Sequence, residues 1–124
     1  MPQAPMNAAT SVNPNGKFVL NQTDASGNLM VGAGSTNKLN VSAITAIKTT
    51  PGRICKVTVI TAATAGNFAV YDVATTGGAA TANAILKYTA SWPAVGTVIN
   101  LDFPCLAGIV VDPGTSGVVA VSFD

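Results

Sequence analysis

Any chemistry in this chain would have to come from a short roster of side chains. It has Cys55 and Cys105, the aspartates Asp24, Asp72, Asp102, Asp112 and Asp124, and six cations of which Arg53 is the one arginine. It has no His and no Glu. A hydroxyl or thiol nucleophile needs a neighbouring base, so neither a Ser-His nor a Cys-His pair can be assembled. Paired-carboxylate chemistry would fall to the aspartates alone. None lies in an Asp-Thr-Gly or Asp-Ser-Gly run, and Asp112-Pro113-Gly114 reads as a turn. There is no Gly-x-x-x-x-Gly-Lys phosphate loop, and Gly32-Ala33-Gly34 leads into no helical pattern that would make it a dinucleotide fingerprint. Metal binding is restricted to oxygen ligands, hence calcium or magnesium. Asp24-Ala25-Ser26-Gly27-Asn28 opens like a calcium loop but lacks the later acidic ligand, so it too reads as a turn. The expectation is a protein that is not an enzyme and has no cofactor or metal.

The charge balance narrows the partners. Lys17, Lys38, Lys48, Arg53, Lys56 and Lys87 are scattered, and the formal net charge is +1. A nucleic-acid binder needs a dense cationic face from which counterions are released, and this chain has none, so no nucleic-acid partner is expected. No membrane partner is expected either: the uncharged run 57–71 is short of a span and contains Thr58, Thr61, Thr64, Gly66 and Asn67. Residues 1–11 carry neither a basic region nor an apolar stretch of the signal-peptide kind. A reducing cytoplasm is therefore expected as the place of synthesis, with both cysteines packed as small hydrophobes. Trp92, Tyr88 and Tyr71 are the candidate stacking platforms for a glycan. Trp92 before Pro93 reads more simply as the cap on one end of a core or on a subunit contact.

The elements that must position these residues are strands. Ala, Thr, Val and Gly make up half of the chain. Residues 1–38 are polar and interrupted by Pro2, Pro5 and Pro14, and they read as an extended N-terminal arm. Within it the apolar triplets Phe18-Val19-Leu20 and Leu29-Met30-Val31 flank an Asp-Ala-Ser-Gly turn and predict a small hairpin. Residues 39–124 read as one β domain with strands at 39–49, 52–62, 67–74, 84–90, 95–103, 106–112 and 117–123. Pro51-Gly52, Gly77-Gly78, Pro93, Pro104 and Pro113-Gly114 mark the joints. Period-two alternation puts Cys55, Val57 and Val59 on one face, Ile99, Leu101 and Phe103 on another, and Val119, Val121 and Phe123 on a third. The pattern predicts an all-β antiparallel sandwich or barrel. The same alternation places Ile44, Ile54 and Ile60 opposite the presumed core, as a face for self-association.

The run from Leu39 through Lys48, Pro51-Gly52-Arg53 and Cys55 to Ile60 resembles small virion structural proteins of tailed bacteriophages, capsid decoration (cement) proteins above all. There an apolar strand passes through Lys and a Pro-Gly-Arg turn into a Val-rich strand. Asn67-Phe-Ala-Val-Tyr-Asp72 and the ending from Gly108 to Phe123 agree in style, so the likeness covers about residues 39–124. The resemblance implies a β-sandwich of jelly-roll type, commonly a homotrimer on the capsid exterior. Its arm would reach over neighbouring copies of the major capsid protein through Phe18, Val19, Leu20, Leu29, Met30 and Val31. A tail, neck or fibre component, and a receptor- or glycan-binding module, are the alternatives it leaves open.

Overall fold

The structure, a computed structural model, describes residues 10–12, 18–20 and 34–124. The chain divides into two compact units, 1–32 and 33–124. In the first, β1 (Thr10–Val12) pairs antiparallel with β2 (Phe18–Leu20), Ser11 opposite Val19. Phe18-Val19-Leu20 thus forms a strand, as its composition predicts, but its partner is the preceding segment. Leu29-Met30-Val31, the expected partner, lies outside the described residues.

The second unit is an antiparallel β-sandwich of eight strands: β3 (Thr36–Val41), β4 (Thr45–Lys48), β5 (Gly52–Thr61), β6 (Phe68–Tyr71), β7 (Ala84–Tyr88), β8 (Val98–Cys105), β9 (Ile109–Asp112) and β10 (Val118–Phe123). One sheet has the order β3-β10-β5-β8 and the other β4-β9-β6-β7. The pairings are nested. β6 pairs with β7, β5 with β8, β4 with β9 and β3 with β10, so the chain winds outward from one central hairpin. The first strand begins at Thr36, inside the segment read as arm. The single strand predicted over 39–49 is two strands in different sheets. The break falls after Val41, over residues 42–44. Just before it, where β3 shifts register against β10, Asn40 takes a φ of 55°, which is sterically open mainly to Gly, Asn and Asp. Among the described residues no helix is long and apolar enough to cross a membrane.

The core between the sheets is built from β-branched side chains facing inward at alternate positions. Val41, Val57, Val59, Val70, Val111, Val119 and Val121 are fully buried together with Ile54, Phe68, Cys105 and Ile109. Phe68 and Tyr88 meet edge to face across the β6–β7 pair, their ring centres 5.9 Å apart. Both cysteines are buried free thiols, Cys105 in this core and Cys55 outside it.

Ile54 departs from the expected pattern. Strict alternation puts it opposite Val57 and Val59, on the self-association face, yet it is fully buried beside them. The cause is a β-bulge. Phe123 pairs with Ile54 and Ser122 with Lys56, which leaves Cys55 as an extra residue of β5. The bulge reverses the parity of everything before it, so Ile54 turns inward and Cys55 outward. A second irregularity explains Phe103. The register of β8 against β5 shifts between Ile54 and Lys56, and Asp102 there adopts a φ of 45°. Ile99 and Leu101 still pack against the core, whereas Phe103 is left exposed.

These parities are testable by stability. Ile54→Ala is expected to cost about 2–5 kcal/mol, as a fully buried aliphatic truncation does. Ile60→Ala, at an exposed position, should change stability by no more than about 0.5 kcal/mol. Urea unfolding of the two variants compares them directly, and equal effects would contradict the bulge.

Candidate interaction surface

Of the four aspartates among the described residues, Asp72, Asp112 and Asp124 hold backbone with their carboxylates, and Asp102 is in a surface ion pair. The Asp72 carboxylate accepts N–H bonds from Leu106 at 3.0 Å, Ala107 at 2.8 Å and Gly108 at 3.4 Å, and so clamps the β8–β9 connection. Asp112 accepts the Gly114 N–H at 2.9 Å, which makes Asp112-Pro113-Gly114 the turn its sequence predicts. Asp102 pairs with Arg53 at 3.1 Å on the surface. Asp124 accepts bonds from Gly34 and Ser35. Among the described residues no group of three or more potential metal ligands comes together.

The Asp72 carboxyl is pulled below its ordinary range. Partial burial opposes ionisation, and the three N–H donors together outweigh it. One result of the clamp is that Leu106 is held out in solvent, 79% exposed, on a fixed backbone.

Trp92 packs against the edge of the core and donates its indole N–H to the Gly66 carbonyl at 3.0 Å. It is the cap on one end of the sandwich. Tyr71 is buried and Tyr88 is half-buried in the Phe68 contact, so the three aromatic platforms considered for a glycan all serve packing.

The two outer faces of the sandwich differ. Over the β4-β9-β6-β7 sheet the connection between β6 and β7 folds back, and Val73 and Ala79 pack with Ala69, Tyr71 and Val110 in a second small cluster. Asn83 fastens this connection, accepting the Ala80 N–H at 3.0 Å and donating to the Gly78 carbonyl at 2.9 Å. Strand β6 is therefore buried on both faces. Part of the loop 74–83 thus covers this sheet.

No described connection packs in this way over the β3-β10-β5-β8 sheet. Its pairings arrange the outward side chains in rows. Asn37, Ser122, Lys56 and Asn100 form a polar row, and Ala120, Thr58 and Val98 form the next. Leu39 stands two residues along β3 from Asn37, and Ile60 two along β5 from Thr58, both on this same face. Leu39, on one edge strand, and Ile60 and Val98, towards the other edge, are 65%, 52% and 51% exposed, and with Ala120 and Thr58 between them they form an interrupted apolar band across the sheet. A shallow groove of about 260 Å³ runs beside it, lined by Asn37, Leu39, Lys56, Thr58, Ala120 and Ser122.

Of the three residues expected on a self-association face, Ile60 lies in this band, Ile44 is exposed in the connection between β3 and β4, and Ile54 is in the core. Leu39 and Val98 were missed. Each follows from the alternation of its own strand, but only the cross-strand pairing shows that they share a face with Ile60. Comparison of the chain with protein-family models, with curated proteins and with solved structures finds no match in any of the three.

The Asp72 clamp has a measurable pH signature. A carboxyl depressed in the folded state stabilises fully above its unfolded value of 3.8, and that contribution is lost as pH falls through the lower folded value. The carboxyl carbon of Asp72 and the amides of Leu106 and Ala107 should titrate together by NMR, below 3.8. Asp72→Ala should abolish that titration and cost about 1–3 kcal/mol.

Proposed function

We propose that this chain is a non-enzymatic structural protein of a phage virion, a capsid decoration protein that binds the outer surface of the shell and ties neighbouring capsid subunits together. The observation that carries the reading is the asymmetry of the sandwich. One sheet is covered by its own chain, and the other turns a band of Leu39, Ile60 and Val98 to solvent. A surface with few charges to keep copies apart and an apolar band across one face favours association. We assign the band to contact between copies of this chain, in a homotrimer.

The nested pairing of strands, with sheets ordered β3-β10-β5-β8 and β4-β9-β6-β7, supports a jelly roll as the finer description of the sandwich. The resemblance of residues 39–124 to decoration proteins supports the capsid as the partner. In this reading the arm bears the contacts to the major capsid protein. Phe18–Leu20 and Leu29-Met30-Val31 would add as strands to an edge of a capsid subunit, where backbone hydrogen bonds supply affinity.

The mechanism is that of a multivalent ligand of an assembled state. A trimer gripping several subunits converts later contacts into intramolecular ones, so modest individual contacts sum to tight binding. Because the ligand binds the assembled shell and not its separated subunits, it stabilises the shell by mass action.

Two measurements test this reading. Light scattering of the purified chain should give a trimer, and Leu39→Asp with Val98→Asp should give a monomer that keeps the β circular dichroism of the parent. A parent that is monomeric at high concentration would remove the self-association. Quantifying the 12.4 kDa chain in purified particles against the major capsid subunit should give a ratio near one or a simple fraction of it. A few copies per particle would place it in a tail or fibre instead, and its absence from particles would end the virion reading.

A further inference from the structure

Residues 1–33 are joined to the sandwich through a short segment that a distant carboxylate holds down. The backbone N–H of Gly34 donates to Asp124 Oδ2 at 2.9 Å, and that of Ser35 to Oδ1 at 2.9 Å. The Ser35 hydroxyl adds a third bond to Oδ1 at 2.8 Å. Asp124 is itself anchored, since its N–H donates to the Arg53 carbonyl at 2.9 Å and its carbonyl accepts the Arg53 N–H at 3.1 Å. The carboxylate is thus aimed by β5 and closes on the residues just before β3.

Beneath this contact lies the thiol that the bulge turned outward. Cys55 is 5% exposed, and its Sγ stands 3.9 Å from Asp124 Oδ2 and 3.8 Å from the Arg53 carbonyl oxygen. Gly34 has a φ of +80°, and a Cβ there would stand 2.9 Å from Ser122 Oγ and 3.1 Å from the Cys55 Cβ. The backbone therefore lies close against the Cys55 side chain, at a position where only glycine fits both the angle and the space.

We propose that the Asp124 side chain is a clasp: closed, it holds Gly34–Ser35 against the sandwich and covers Cys55, and it opens locally to free Gly34–Ser35 and uncover that thiol while the sandwich stays folded. The clasp stands on this unit's own hydrogen bonds and holds whatever the outer face docks against. Its electrostatics agree with the geometry. The N–H bonds of Gly34 and Ser35, the Ser35 hydroxyl and the Lys48 ammonium hold the Asp124 carboxyl down at about 2 against slight desolvation. Burial first, then the Asp124 and Asp102 charges, push the Cys55 thiol up against the opposing pull of Arg53. The clasp is therefore fully formed at neutral pH and above the ordinary carboxylate range, and it is lost as pH falls towards about 2.

The test is thiol labelling of the full chain at neutral pH with N-ethylmaleimide, with the two cysteines resolved by peptide mass mapping. In Asp124→Ala, Cys55 should label about tenfold faster or more, since charge-assisted bonds no longer oppose local opening. Cys105, 1% exposed in the core, should keep its parent rate. An unchanged Cys55 rate would overturn the proposal, and so would both cysteines accelerating together, because the opening would then be global. A measurement on the unaltered chain stands beside it. The amide protons of Gly34 and Ser35 should shift with the titration of the Asp124 carboxyl, and amides that ignore that titration would also overturn the clasp.

Discussion

The parity of β5 is the constraint on which the rest of the sandwich depends. This strand lies inside its sheet, bonded to β10 on one side and β8 on the other, so its register decides which residues of three strands face the core. One extra residue at Cys55 reverses its alternation. Ile54 then joins Val57 and Val59 inside, while Lys56 and Thr58 remain outside with Ser122 and Ala120. The bulge brings the pattern of the Pro51-Gly52 turn and the pattern of the Val-rich strand onto one buried face. An unbulged β5 would strand either Ile54 or the valines in solvent.

The same residue links the core to the point where the N-terminal segment joins. Because Cys55 turns outward, it needs cover, and Gly34 with the Asp124 carboxylate supplies it. A carboxylate is well suited to this position, since it accepts several N–H bonds at once and gains more from each than a neutral acceptor would. Asp72 plays the equivalent part at the β8–β9 connection and Asp112 at the turn before β10. In a chain with only five acidic side chains, these carboxylates act as fasteners for irregular backbone. That use explains why charge is sparse yet the connections are defined.

The sandwich treats its two outer faces differently, and this bears on assembly. The β6–β7 connection is long enough to fold over its own sheet and bury Ala69, Tyr71 and Val110. The opposite sheet carries small or short side chains, Ala120, Thr58 and Ser122, between Leu39 and the Val98–Ile60 end of the band. Small residues in the middle of a sheet make a shallow groove that a flat partner surface can approach closely. Such a face suits contact with another protein more than capture of a small molecule, which a deep enclosed pocket would serve.

Much of the architecture was legible in the residues themselves. Alternation of Val and Ile with Thr, Lys and Asn, punctuated by Pro-Gly and Gly-Gly, specified strands, turns and an antiparallel all-β sandwich or barrel, because side chains of a half-buried strand must alternate. The turn at Asp112 and the cap at Trp92 were likewise local matters of turn chemistry and aromatic size. What local pattern could not specify was anything that depends on which strand lies beside which. Ile54 was assigned to the wrong face because a bulge appears only when β5 is laid against β10. The run 39–49 was taken as one strand because its break, at Ser42-Ala43-Ile44, carries no proline or glycine. That Phe18–Leu20 pairs with the segment Thr10–Val12 before it was not read from the residues, because short triplets carry no register. The band of Leu39, Ile60 and Val98, and the clasp of Asp124 on Gly34, join residues far apart along the chain. Only the tertiary structure decided them, since strand pairing is a long-range choice made by the core as a whole.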